Sequence, residues 1–196
     1  MFYYGKGVYQ DYNIALEWYK KSADKGNKDS MFNIGNLYSN GEGVNKDHKI
    51  ALEWWMKAAD KGDKDSMCSI AELYYYGEGV EIDYKIALEW WMKAADKGCE
   101  DSMHNIGNSY YYGEGSEKDY KLALEWWLKA ADKDNEDSMN SIGNLYYKGK
   151  GVDQNYKLAL AWWLKAADKG CEDSMFSVGI LYYDGEGTKK DYTIAL

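Results

Sequence analysis

Ser22 and Lys25 stand three residues apart, the spacing with which some acyl-transfer enzymes pair a hydroxyl nucleophile with an amine. The lysine recurs at Lys61, Lys97, Lys133 and Lys169, each time with alanine where Ser22 stands, so the spacing belongs to a repeating frame. Asp132-x-Asp134-x-Glu136 opens like a calcium loop. It has no glycine at the sixth place, however, and Gly143 rather than glutamate at the twelfth. The Gly-Glu-Gly turns and Gly149-Lys150-Gly151 lack the remaining residues of a phosphate loop. His48 and His104 are the only 2 histidines, too few for a zinc site or a histidine-based triad, and each is expected at the surface or in a groove. No catalytic residue, metal or cofactor is therefore expected.

The cysteines carry little more. Cys99 and Cys171 occupy one repeat position two units apart, a separation on the order of 30–40 Å if helices pack at their usual spacing, which excludes a bridge between them. Cys68 lies at a different repeat position from Cys99. No disulfide is expected, and a reducing cytoplasm fits three scattered thiols.

Composition narrows the partners. The chain has 196 residues, 45% of them hydrophobic, enough to bury a sizeable core. With 33 acidic residues against 24 basic ones the net charge is -9, and arginine is absent. Nucleic acid needs clustered cations and anionic membranes need a polybasic patch, so neither is expected as a partner. No apolar run is long enough to span a bilayer, and Met1-Phe2-Tyr3-Tyr4-Gly5 does not open a signal peptide. The proline-free, Lys/Asn/Tyr-rich composition points to an AT-rich genome, such as that of a large DNA virus or a host-associated microbe; for a virus, the site of action would be the host cytoplasm.

The frame behind these motifs is a repeat. Asp-Ser-Met recurs at Ser30, Ser66, Ser102, Ser138 and Ser174, in steps of 36 residues. Gly-x-Gly recurs in the same step from Gly5 to Gly185, and Ala-Leu-x-Trp reaches its tryptophan at Trp18, Trp54, Trp90, Trp126 and Trp162. No insertion breaks the register. The array reads as a partial repeat over 1–28, full repeats over 29–64, 65–100, 101–136 and 137–172, and a partial repeat over 173–196.

Each unit predicts two helices. Helix A runs from about Ser66 to Tyr76, with Met67, Ile70, Ala71 and Tyr74 forming a buried stripe. Asp65 or Ser66 is its expected N-cap and Gly77 its left-handed C-cap. Helix B runs from Asp83, its N-cap, to Lys97, and Gly98 ends it. Its apolar residues cover more than one face, as expected of a helix between its own partner and the next repeat. Glu89 and Lys93, like Glu53 with Lys57 and Glu125 with Lys129, are spaced for ion pairs along an exposed face. Small residues at Gly35, Ala71, Gly107, Gly143 and Gly179 would let neighbouring helices approach, with the tryptophan pairs filling the space between layers. Two helices cannot bury so much apolar surface alone; stacking does it.

The string Ile70-Ala71-x-x-Tyr74-x-x-Gly77-x-Gly79-Val80, followed by Asp83-x-x-x-Ala87-x-x-Trp90-Trp91-x-Lys93-Ala94-Ala95-x-x-Gly98, resembles the Sel-1-like repeat, a relative of the tetratricopeptide repeats. The resemblance covers the whole chain. Ser66 stands where that family usually has alanine, and Trp91 where tyrosine is commoner. The resemblance implies an all-α, right-handed superhelix of helix pairs whose A helices line a concave groove for protein or peptide partners. Adaptors and host-interaction factors are among its members, and some have been described as β-lactamase-like.

Repeats cut from one template differ where they work, and four helix A positions differ most. The first carries Phe32, Cys68, His104, Asn140 and Phe176; the second Asn36, Glu72, Asn108, Asn144 and Ile180. The third carries Ser39, Tyr75, Tyr111, Tyr147 and Tyr183; the fourth Asn40, Tyr76, Tyr112, Lys148 and Asp184. By similarity to the tetratricopeptide arrangement these positions face the groove, and Asn33 and Asn105 join them. Asparagine can bond a peptide backbone through both donor and acceptor, and tyrosine offers rigid amphipathic area. The expected function is a protein-interaction scaffold. The alternatives are a spacer associating end to end through uncapped terminal faces, as in a piece of a longer array, and, against the lack of a nucleophile–base pair, a β-lactamase-like enzyme.

Overall fold

The computed structural model describes residues 11–190, and these hold ten α-helices joined by short turns. They fall into two compact units, divided between Cys99 and Glu100. The first contains α1 (Tyr12–Ala23), α2 (Lys28–Asn40), α3 (His48–Ala59), α4 (Lys64–Tyr76) and α5 (Tyr84–Asp96). The second contains α6 (Glu100–Tyr112), α7 (Tyr120–Ala131), α8 (Glu136–Lys148), α9 (Tyr156–Asp168) and α10 (Glu172–Asp184). Even-numbered helices are the A helices of the repeat and odd-numbered ones the B helices.

Caps fix the helix ends. Asp83 Oδ1 accepts from the amides of Lys85 and Ile86, both at 3.0 Å, starting α5 where the sequence predicts. Helix A starts two residues earlier than predicted. Asp63, not Asp65 or Ser66, caps α4 by accepting from the Ser66 amide at 2.8 Å, and Asn27 and Asn135 do the same for α2 and α8. Gly77 ends α4 at φ 74°, a left-handed conformation that favours glycine. Asp134 takes a left-handed φ of 68° at a repeat position that glycine otherwise fills, so the calcium-like Asp132–Glu136 segment is the turn between α7 and α8.

Burial follows the helical stripes. In the first unit Trp55, Met67, Ile70 and Leu73 are core residues, with Ala51 and Ala94 between them; in the second, Trp127, Met139, Ile142 and Leu145 are the counterparts. Each such tryptophan lies on the small residue of the preceding A helix. A Cβ added at Gly107 would sit 2.4 Å from Trp127 Cδ1, and at Gly35 2.4 Å from Trp55 Cδ1, so glycine there makes room for an indole. The other tryptophan of each pair is less buried and meets a cation. Lys57, Lys93 and Lys129 stand over the rings of Trp54, Trp90 and Trp126 at 4.2, 3.7 and 3.9 Å. The sequence assigned these lysines to glutamates four residues back. The ring face lies three residues back, and its quadrupole attracts the ammonium.

Candidate functional site

In the second unit a chain of hydrogen bonds starts at the buried Trp127. Its indole Nε1–H, which can only donate, reaches Asn108 Oδ1 at 3.2 Å. That orients the Asn108 amide, leaving Nδ2 to donate to His104 Nε2 at 2.9 Å. His104 is thereby a neutral ring with its proton on Nδ1, donated to Ser138 Oγ at 2.8 Å. Burial lowers its pKa below the ordinary histidine value, while the charges of Asp137 and Asp101 pull the other way. Asn135 caps α8 through the Ser138 amide at 2.8 Å and donates to Asp101 Oδ1 at 3.1 Å. His104 therefore sits inside a polar network rather than at the surface or open in a groove.

A serine beside a histidine invites comparison with nucleophilic catalysis, and the proton arrangement answers it. A general base must accept the serine proton. Here His104 gives its proton to Ser138, and Ser138 is fully buried. Among the described residues no group of three or more metal-ligating side chains comes together, and no helix is long and apolar enough to cross a membrane.

The variable helix A positions divide by what they touch. In the first column Phe32 packs on two core clusters, Cys68 Sγ lies 3.0 Å from Cys99 Sγ, and Asn140 Oδ1 accepts from Ser174 Oγ at 2.9 Å. With His104 on Ser138, most of this column joins one repeat to the next, and Phe176 is 73% exposed. The cysteine contact differs from expectation: Cys68 and Cys99 hold different repeat positions, but stacking brings α4 beside the turn after α5.

In the second column Asn36 accepts from Trp55 Nε1 at 3.0 Å, as Asn108 does from Trp127, whereas Glu72 is exposed. Asn33 donates to the Asp29 carbonyl of its own helix, and Asn105 is half-buried, its carbonyl accepting from Ser109 Oγ. In the third column Tyr75, Tyr111 and Tyr147 lie against the rings of Trp91, Trp127 and Trp163, at 5.3, 5.4 and 5.4 Å between centroids. Tyr183 lies largely exposed. In the fourth, Tyr76 and Tyr112 are exposed, as is Lys148.

One cleft gathers several of these residues. Asn108, Tyr111, Tyr112, Trp127, Ser141, Asn144 and Lys148 line a small cleft between α6, α7 and α8 that is partly open to solvent. Trp127 and Tyr111 supply aromatic edges, Ser141 and Asn144 hydrogen-bonding groups, and Lys148 a cation. Sequence reasoning missed Trp127 and Ser141 as lining residues, because a buried tryptophan reads as core and Ser141 lies one helical step off the variable columns.

Helix pairs of fixed length, stacked through buried tryptophans and joined by recurrent side-chain contacts, define an all-α solenoid repeat protein. The Sel1 repeat model matches this chain at residues 1–27, 28–63, 64–99, 100–135, 136–171 and 172–196, and the chain belongs to the Sel1 repeat family. Sel1 repeat proteins are in general protein-interaction scaffolds without enzymatic activity. No curated protein matches the sequence.

Solved structures agree. The c5321 protective antigen of uropathogenic Escherichia coli, which displays an SLR fold, is 32% identical with a TM-score of 0.94 over 99% of this chain. This chain spans only 42% of that protein. A Sel1 repeat protein of Oxalobacter formigenes is 34% identical with a TM-score of 0.91, covering 100% of this chain and 80% of that one. The immunity protein Pa5087 of Pseudomonas aeruginosa, at 21% identity and a TM-score of 0.61 over 92% of this chain and 69% of its own, shares the fold.

Proposed function

We propose that the protein holds a partner protein through an exposed peptide segment seated in the cleft between α6, α7 and α8. The observation that carries this reading is the state of Asn144. Unlike Asn108, it is bonded to no indole, and it stands in an open cleft beside Tyr112, which is 60% exposed. An uncommitted amide can pair with a peptide N–H and C=O together, and the neighbouring tyrosines give flat apolar area without much entropy to lose. Lys148 at the rim favours an acidic group on the ligand.

Selection from a phage-displayed peptide library tests this. Peptides captured by the native chain should lose at least tenfold in affinity for a Tyr112→Ala, Asn144→Ala double variant whose melting temperature is unchanged. Equal binding to both would place the working surface elsewhere.

A further inference from the structure

We propose that Cys68 and Cys99 are a redox pair that closes to a disulfide between α4 and the turn following α5. Their sulfurs lie 3.0 Å apart, about 1 Å beyond the ~2.05 Å of a disulfide bond, so closure needs side-chain rotation rather than backbone movement. Both ends of the contact are held. Cys68 sits within α4, and the Cys99 amide donates to the Ala94 carbonyl at 3.1 Å. The corresponding positions one repeat earlier carry Phe32 and Asp63, and one repeat later His104 and Asn135, so this array has both thiols at one joint only. Cys99 also stands where Asn27, Asp63 and Asn135 cap the following helix, and a thiol is a poor substitute for that acceptor. Cys171 holds the same place before α10 and makes no side-chain cap bond, so cysteine here forgoes the cap, and only Cys99 faces a second thiol.

The two sulfurs differ in access. Cys99 is 5% exposed, whereas Cys68 is only half-buried. Cys68 is therefore the side that meets an oxidant, and Cys99 is the resolving thiol. With a peroxide, the Cys68 thiolate attacks one peroxide oxygen, the O–O bond breaks, and an alcohol or water leaves, giving a sulfenic acid. The Cys99 sulfur then attacks the Cys68 sulfur, the S–O bond breaks, and the hydroxyl leaves as water with the Cys99 proton. Two thiols and one peroxide thus become one disulfide, one water and the reduced peroxide fragment; each sulfur gives up one electron. In a reducing compartment the pair rests as two thiols, and closing it ties α4, which carries Glu72, Tyr75 and Tyr76, to the end of its unit.

The test is peptide mapping of the intact chain after mild hydrogen peroxide. Trypsin cuts after Lys64, Lys85, Lys97 and Lys118, so the thiols fall on separate peptides, 65–85 and 98–118. The expected product is those two peptides joined and lighter by two hydrogens, separated again by a dithiol reductant, with Cys171 still open to alkylation. The oxidised chain should melt several degrees higher than the reduced one, because the crosslink restricts the unfolded state. In Cys99→Ser, Cys68 should stop at the sulfenic acid and be trapped by dimedone. Accumulation of Cys68 sulfinic acid or an intermolecular dimer in the native chain, with Cys99 still alkylated, would overturn the proposal.

Discussion

Residues 64–99 and 100–135 are neighbouring copies of one template that treat the same buried indole in opposite ways. In the later copy Trp127 lies on Gly107 and donates to Asn108, which in turn orients His104 and Ser138. In the earlier copy Ala71 replaces the glycine, Glu72 replaces the asparagine, and Trp91 Nε1 is buried without a partner. The polar contacts of the A helix change with it: His104 bonds Ser138 of the following repeat in the later copy, whereas Cys68 meets Cys99 within its own repeat in the earlier one. A solenoid tolerates this because each layer answers only to its neighbours, so a polar joint can be lost in one place while helix packing persists. The asparagine column is thus partly structural. Only where it is released from the indole, as at Asn144, is it open to a ligand.

Breaking the later copy should have the largest effect. Gly107→Ala would place a methyl 2.4 Å from the Trp127 ring, and overpacking of this kind costs about 1–3 kcal/mol, readable as a lower urea midpoint. Adding Asn108→Glu to that variant should lower the midpoint further, since it also removes the amide that donates to His104. Replacing the indoles sharpens the contrast. Trp127→Phe strands the Asn108 carbonyl and should be worse than Trp91→Phe, which removes an N–H without a partner, by about 1 kcal/mol.

The network also titrates. Burial holds His104 neutral in the fold, whereas the unfolded chain takes up a proton near 6.5, so the folded state binds fewer protons below that value. Stability contributed by this site is full above about pH 6.5 and is lost as the pH falls below it. Melting curves between pH 7 and 5 should show this slope in the native chain and a shallower one in His104→Asn, the residue found at the same position in the next repeat. An unchanged slope would mean that His104 is not held neutral. The smallest effect is local: Asp134→Gly should raise stability by roughly 0.5–1 kcal/mol by relieving a left-handed φ, even though it removes the exposed contact of Asp134 with Lys169 at 2.7 Å.

Much of this was legible in the residues. The 36-residue period, the alternation of A and B helices and the Gly77 and Asp83 caps are encoded within single repeats, where spacing alone decides them. The Asp63 cap was readable too, as a column of Asn27, Asp63 and Asn135, but Asp65 and Ser66 lie nearer the apolar stripe and draw attention first. What could not be read were the contacts made across the stack. His104 with Ser138 and Asn140 with Ser174 both join residues 34 apart, a separation that has meaning only once helix A of one layer lies beside helix A of the next. The Cys68–Cys99 approach lies within one repeat, but it too depends on packing, which brings α4 beside the turn after α5. The groove columns were legible as variable positions, but whether an asparagine faces a partner or an indole depends on where the tryptophan lands.

Asn108→Ala and Asn144→Ala, measured side by side for stability and for binding of a peptide selected on the native chain, test this division most directly. The account predicts that Asn108→Ala lowers the melting temperature, by stranding the Trp127 N–H and the His104 ring. It predicts that Asn144→Ala leaves the melt unchanged and weakens the peptide severalfold. The reverse pattern, an intact melt for Asn108→Ala with Asn144→Ala unfolding early and binding normally, would contradict it.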